Sequence, residues 1–369
     1  MTKQTIFFLL SVSLVTLVLS FFTAYIYTKV FPMSLELARG IKIAGIIFPF
    51  LFIVANMLSR FSSLSSVKWL YTAMSVGGGI AFYLLLGAIL LSLFLVVYKI
   101  VGIEIPTYVG WSVFLVVALM SVAGLLQARD IKKVSYEVSI TNLPPEWQGK
   151  RAIVFSDSHY GLVNHTKAAK RLVNKIYIEN PDMVFIAGDL FDGPDVDTEP
   201  LVSLWKDMSL KYPVFYAPGN HEEYGNYKKF LQAVKDSNFN VLEDKAMTYE
   251  DVNIVGLMYR AKNQEDEVSI LLKNLNLNQD LPIIVINHPP TFQKTLEQNG
   301  VDLMFSGHTH RGQFWPLRYI TKAIYGVYHY GLNSYGGLQV MTTSGVGTAG
   351  PPFRLFNTPE IIEINFKSR

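Results

Sequence analysis

Ala152-Ile153-Val154-Phe155-Ser156-Asp157-Ser158-His159 is a short apolar run that ends in a carboxylate and an imidazole. Continuous apolar residues of this length, bounded by polar ones, read as a strand buried on both faces. The same pattern recurs down the chain. Met183–Ala187 leads into Gly188-Asp189-Leu190-Phe191-Asp192, and Val214–Ala217 into Pro218-Gly219-Asn220-His221-Glu222. Ile283–Ile286 leads into Asn287-His288-Pro289-Pro290, and Leu303–Ser306 into Gly307-His308-Thr309-His310. Lys167–Glu179, Tyr227–Ser237 and Glu265–Leu275 read as helices between these runs, and strand–helix alternation argues for α/β layers. Val134–Ile140 alternates like a strand, Pro144-Pro145 marks a turn, and Ile361–Phe366 returns to a strand pattern near the end. Open α/β sheets hold ligands beyond the carboxyl ends of their strands. Five loops therefore bring Asp, His and Asn to one edge.

Each loop alone has an ordinary reading. Asp-x-His is usually a surface turn, Gly-Asn-His a tight turn, and a His before Pro-Pro a structural residue. Together the loops point to chemistry, because five of the seven histidines fall in them, each just after a buried run. Carboxylate, imidazole and amide donors suit borderline divalent metals such as Mn, Fe or Zn, and the chain has no Cys to supply thiolate. A shared carboxylate can hold two ions roughly 3.5–4 Å apart, a pair that clamps a phosphoryl group and acidifies a water. Glycines before Asp189, Asn220 and His308 let backbone approach closely in cramped loops.

The order Asp-x-His, Gly-Asp-x-x-Asp, Gly-Asn-His-Glu, His, Gly-His-x-His resembles the signature of the calcineurin-like metallophosphoesterase superfamily, over roughly Val134 to Phe366. The resemblance implies a layered β-sandwich flanked by helices and two divalent ions, with Mn favoured. It implies that Asp157, His159, Asp189 and His310 bind one ion, and that Asp189, Asn220, His288 and His308 bind the other, Asp189 bridging. It further implies that a hydroxide bridging the ions attacks phosphorus in line. His221 would be the general acid that protonates the leaving group, and Asp192 would orient His221. Glu222 is expected to brace its loop.

The C-terminal part narrows the resemblance. Gly307 to Gln313, a Tyr-rich stretch, Ser344-Gly345-Val346-Gly347, Pro351-Pro352-Phe353-Arg354 and Pro359-Glu360-Ile361 look like the YaeI/YkuE-type phosphodiesterase branch. That branch is membrane-associated and includes enzymes similar to the UDP-diacylglucosamine pyrophosphatases of lipid A synthesis. Arg311 stands where the branch usually has Gly. Arg311 and Arg354 are the expected substrate-binding cations; the alternatives are solvent for Arg311 and an acidic neighbour for Arg354. Phe314, Trp315, Tyr319, Tyr325, Tyr328, Tyr330 and Tyr335 suggest either a lid that dips toward a bilayer and guides a lipid-linked substrate, or an ordinary flap on the sheet. His165 and His329 are expected to be bystanders.

Charge separates this region from what precedes it. Residues 1–128 hold nine charges, seven basic and two acidic, whereas the rest holds 25 basic and 27 acidic residues. Half of the chain is hydrophobic and only 17% charged, which excludes a disordered or collagen-like chain. Neither part carries a concentrated basic face, so no nucleic-acid partner is expected. Four stretches, Gln4–Thr28, Ile43–Ser59, Trp69–Tyr98 and Ile105–Ala128, carry no charge. A helix across the hydrocarbon needs roughly 20 apolar residues, so these read as four transmembrane helices; Ile43–Ser59 is at the short limit. A cleaved signal peptide is the alternative for the first, but the run is too long and three more follow. Gly77, Gly78 and Gly79 in the third stretch fit either close helix packing or a kink. The stretches contain no Asp, Glu, Lys, Arg or His, which argues against an ion or proton pathway.

The sequence thus predicts an α-helical transmembrane region over 1–128 followed by an α/β metallophosphoesterase domain over 134–369. The expected protein is a multi-pass cell-membrane hydrolase of a phosphodiester or pyrophosphate bond, with the bilayer and a phosphorylated, lipid-linked substrate as partners. Lys3, Arg60, Lys68, Arg129, Lys132 and Lys133 lie on one side, against Lys29, Arg39, Lys42 and Lys99, which favours a cytoplasmic catalytic domain. The rival reading is a non-catalytic membrane receptor or scaffold with a vestigial metal site.

Overall fold

The structure is a computed structural model that describes residues 3–61, 64–193 and 196–369. The side chains of Lys3 and Arg60, two of the charges used for orientation, lie outside the described residues. The chain divides into two compact units, Met1–Leu125 with Gly350–Phe353, and Leu126–Ala349 with Arg354–Arg369. Gly350–Phe353, which the sequence division assigns to the second domain, therefore groups with the first unit.

The first unit is built on α1 (Lys3–Val30), α2 (Leu35–Phe61), α3 (Ser65–Val101) and α4 (Thr107–Gln127). All four are long and apolar enough to cross a membrane. The Ile43–Ser59 stretch belongs to a 27-residue helix that also takes in Glu36, Arg39 and Lys42. The 37 residues of α3 span roughly 55 Å, well beyond a hydrocarbon core of about 30 Å. Helix α3 runs unbroken through the triple glycine, so packing rather than a kink explains it. A Cβ on Gly77 would come within 2.8 Å of Phe48, and one on Gly79 within 2.3 Å of the Phe353 ring.

The second unit begins with β1 (Lys132–Ile140), β2 (Arg151–Phe155), α5 (Thr166–Glu179), β3 (Met183–Ala187), α6 (Glu199–Lys211) and β4 (Val214–Ala217). Next come α7 (Asn220–Tyr224), α8 (Tyr227–Asp236), β5 (Asn240–Val241), β6 (Lys245–Tyr249), β7 (Val252–Leu257), α9 (Glu265–Asn274) and β8 (Ile283–Asn287). It ends with α10 (Gln293–Gln298), β9 (Leu303–Ser306), α11 (Arg318–Tyr325), β10 (Gly331–Tyr335), β11 (Leu338–Thr342) and β12 (Glu360–Ser368). The strands form two six-stranded sheets, ordered β1-β12-β2-β3-β4-β5 and β10-β11-β9-β8-β7-β6.

The continuous apolar runs have a simple cause: both faces of each central strand are buried. On β2, Ala152 and Val154 enter the core between the sheets, while Ile153 and Phe155 pack outward with α5 and α6 residues such as Leu172 and Trp205. On β8, Ile284 and Ile286 face the other sheet, while Ile283 and Val285 pack with Val268 and Leu272 of α9. Helix, sheet, sheet and helix thus make four layers. Each fully buried side chain of this kind contributes about 1.5–3 kcal/mol. Strands β2, β3 and β4 run parallel in one sheet, and β7, β8 and β9 in the other. Polar residues that end these strands have nowhere to go but the loops at their carboxyl ends.

Candidate metal centre

The loops after β2, β3, β4, β8 and β9 converge. Three overlapping groups of side chains bring ligand atoms within 4.8 Å of one another: Asp157, His159 and His310; His159, Asp189 and His221; Asp189, His288 and His308. His159 Nε2 lies 2.9 Å from His310 Nε2, and His310 Nε2 lies 3.3 Å from Asp157 Oδ1. His288 Nε2 lies 3.0 Å from Asp189 Oδ2, yet in a geometry that is no hydrogen bond. Asp189 Oδ1 accepts the backbone N–H of His221 at 2.9 Å, so this one carboxylate reaches the second group on one side and the β4 loop on the other.

Backbone geometry concentrates here. Asp157, His159, Asp189, His308 and His310 all have φ between 47° and 69°. Non-glycine residues avoid this region, and such outliers gather where a function fixes them. Close approach adds a second constraint. A Cβ on Gly219 would lie 2.1 Å from Asp189 Oδ1, and one on Gly307 would lie 2.0 Å from Ser156 Oγ.

Neighbours orient each donor. Ser156 Oγ donates to Asp157 Oδ2, and the His308 N–H reaches both Asp157 oxygens at 3.1 Å. His288 Nδ1 donates to the Ala187 carbonyl at 2.6 Å, which leaves Nε2 to face Asp189. Glu222 accepts the N–H groups of Gly219 at 2.7 Å and of Asp189 and Phe191 at 3.0 Å, and so ties the β3 and β4 loops together. That matches its expected bracing role.

Arg354 was expected at the substrate, but the structure gives it another place. Its side chain is fully buried, Nε donates to the Gly347 carbonyl at 3.0 Å, and Nη1 donates to Ser344 at 2.7 Å. Nη2 lies 3.1 Å from His310 Nδ1. Arg354 therefore holds His310, one histidine of the cluster, from behind, with its donors turned to carbonyls and an imidazole. Asn357 Nδ2 donates to the His310 carbonyl beside it. Arg311 is partly exposed and rests its guanidinium on the Tyr330 ring, 3.9 Å from the centroid. His165 is exposed on the α5 N-terminus, and His329 meets Thr321 and Thr309 through Nδ1 and its carbonyl.

The donors fit divalent ions on a structural ground. His159 Nδ1, His288 Nε2 and Asn220 Oδ1 are buried and have no hydrogen-bond partner. Burial pushes the Asp157 carboxyl up and pushes His159 and His310 down. His308 is pushed down to about 3, by burial and then by His288. Burial would also lower His288, but Asp189 lifts it to about 10. Burial disfavours charge on Asp157, His159, His308 and His310, whereas Asp189 and His288 hold charge against each other; cations among these oxygens and nitrogens would offset the burial cost.

A separate pair stands beside the cluster. His221 Nδ1 lies 2.9 Å from Asp192 Oδ1, and the His221 ring centroid lies 4.5 Å from that of His159. Burial would lower His221, but the bond to Asp192 and the charges of Asp189 and Asp192 outweigh it and leave it raised. Sequence reasoning found this pair and the converging loop residues. It missed Asn357 and Tyr259, which no local motif marks, and it read Tyr325 only as part of a lid or flap; the Tyr259 and Tyr325 ring centroids each lie 6.0 Å from that of His308.

Residues 150–312 match the calcineurin-like phosphoesterase family. An uncharacterized metallophosphoesterase of Campylobacter jejuni is 31% identical over 265 residues, 70% of this chain and 68% of that protein. The uncharacterized metallophosphoesterase YkuE of Bacillus subtilis is 25% identical over 265 residues, 67% of this chain and 89% of that one. A transmembrane protein with metallophosphoesterase domain from Danio rerio is 27% identical over 274 residues, covering 69% of this chain and 61% of the relative. The match spans the loops that build the cluster, and the chain belongs to the calcineurin-like metallophosphoesterase family.

Proposed function

We propose that this protein is a membrane-anchored, metal-dependent hydrolase of a phosphodiester or pyrophosphate bond in a lipid-linked substrate. The observation that carries the proposal is the convergence of the buried donor set on Asp189, with the His221–Asp192 pair beside it. In this reading Asp157, His159, Asp189 and His310 hold one ion, and Asp189, Asn220, His288 and His308 hold the other. Bound ions, Mn by preference, would neutralise charge on the phosphoryl oxygens and lower the pKa of a water.

The chain's own residues supply the rest. Asp192 accepts from His221 Nδ1, fixes the ring and stabilises its imidazolium form, whose Nε2 proton can be given to the leaving oxygen. Glu222 keeps the β3 and β4 loops at the spacing that this transfer needs. Arg311 uses the face of its guanidinium on Tyr330, which leaves the N–H edge for a second phosphate group. Four membrane helices favour a substrate that lives in the bilayer, and the loop cations favour a cytoplasmic catalytic domain.

The test is hydrolysis of bis-p-nitrophenyl phosphate by the full chain in nanodiscs, with and without Mn. His221→Ala is expected to keep two ions per chain and lose about 10²–10⁴ in turnover. Wild-type turnover in that variant would remove His221 as the acid, and loss of metal would make it a ligand. Failure of the wild-type protein on diester and pyrophosphate alike would leave the scaffold reading.

A further inference from the structure

Helix α11 is amphipathic the wrong way round for a water-facing helix. It buries no residue. Ile320, Ala323 and Ile324 fall on one face by their spacing, and all three are exposed. Ile320 is 56% exposed, Ile324 53%, and Val327 just beyond the helix 57%. A surface helix normally turns such a stripe to the core. Here the opposite face does the holding. Lys262 Nζ donates to the Ile324 carbonyl at 2.8 Å and sits 4.2 Å from the Tyr325 ring centroid. The inward ring is that of Tyr325, toward His308.

Charge around the helix has one sign. By the same spacing Lys322 and Arg318 lie beyond Tyr319 on one side of the apolar face, and Arg311 precedes the helix. From Leu303 to Pro359 the sequence holds no Asp or Glu. Trp315 and Tyr319, 37% and 56% exposed, add amphipathic rings of the kind that favour a membrane interface. An outward apolar stripe on a helix whose charged residues are all cations is the pattern of a helix that lies in the plane of an anionic lipid surface. Only residues 128–131 separate α4 from β1.

We infer that α11 docks on the anionic bilayer surface, with Ile320, Ile324 and Val327 in the headgroup–acyl boundary and Arg318 and Lys322 on lipid phosphates. This goes beyond the hydrolase reading and does not depend on it. The contact holds without turnover.

The absence of Cys from the chain makes the test direct, since one introduced thiol takes a unique nitroxide label. The full chain carrying Ile320→Cys or Ile324→Cys is labelled and placed in phosphatidylcholine nanodiscs with or without phosphatidylglycerol. Ile178→Cys, on the exposed surface of α5, is the aqueous control. With phosphatidylglycerol present, labels at 320 and 324 are expected to relax more with oxygen than with a water-soluble nickel chelate, and the control the reverse. Lys322→Gln in the Ile324→Cys background is expected to lower the docked fraction about fivefold, the share of one cation at an anionic surface. Labels at 320 and 324 that read as aqueous in both lipids would overturn the inference. So would dipolar broadening between labels, which would mean that a second copy covers the helix.

Discussion

The two ligand groups that share one buried cluster are braced in different ways. Asp157, His159 and His310 are all buried; Ser156 and the His308 N–H hold Asp157, but the support of His310 comes from farther along the chain, from Arg354 at Nδ1 and Asn357 at the carbonyl. Asp189, His288 and His308 are braced by their own strand ends, through the Ala187 carbonyl and the Glu222 carboxylate. The first group thus depends on a C-terminal segment that must fold back, and the second on sheet loops fixed once the strands pair. Asp189 is where the two dependencies meet.

Asp189→Ala tests that meeting point and carries the largest expected effect. Both ions should be lost and metal-dependent hydrolysis should fall to background, because in the proposed centre this carboxylate would hold both ions. Metal per chain, measured by mass spectrometry after gel filtration, gives the answer. One ion retained on Asp157, His159 and His310 would show two independent sites where we describe one shared centre.

Arg354→Met separates the groups. Supporting residues behind a metal ligand typically matter 10–100-fold in affinity or activity. Metal is expected to fall from two ions toward one, with the second group still filled, and turnover to drop by a similar factor. Arg354→Lys should restore part of it, since a cation returns but the planar fork does not. A thermal melt of each variant is needed, because removing one member of a buried polar set is itself destabilising. Equal loss of both ions in a folded Arg354→Met protein would erase the contrast between the groups.

The same contrast explains what the sequence could reveal. The second group was legible because each residue directly follows an apolar run. In a strand buried on both faces, a polar residue such as Asp189 or His288 marks the strand's end and the loop beyond it. Asp157, His159 and His310 of the first group were legible for that reason too. Arg354 was visible but expected at substrate or an acidic neighbour, and only burial shows that carbonyls and an imidazole take its donors. The return of Gly350–Phe353 to the membrane unit leaves no periodic trace. Helix α11 has eight residues, too few for a period to declare itself beside an aromatic-rich loop.

The smallest expected effect concerns the outer wall of the second group. Arg260 Nη1 and Nη2 meet Asp244 Oδ1 and Oδ2 at 2.8 and 2.6 Å, and Asp244 also accepts the Met258 N–H at 2.9 Å. These bonds fix the turn that carries Tyr259 to His308. Burial would raise Asp244, but the Arg260 and Met258 hydrogen bonds prevail and hold it below the ordinary carboxylate range. A depressed folded value means that this stabilisation is present above about pH 4, the unfolded range for Asp. It is lost as pH falls through the lower folded value. The pair is partly exposed, so Asp244→Asn should cost only about 0.5–1 kcal/mol at neutral pH. Its difference from wild type in urea unfolding should shrink as pH drops below 4, while metal content stays at two ions. An equal difference at every pH would mean that packing, not charge, makes the brace. Metal loss from the second group alone would mean that this surface pair supports its ligands as closely as buried Arg354 supports His310.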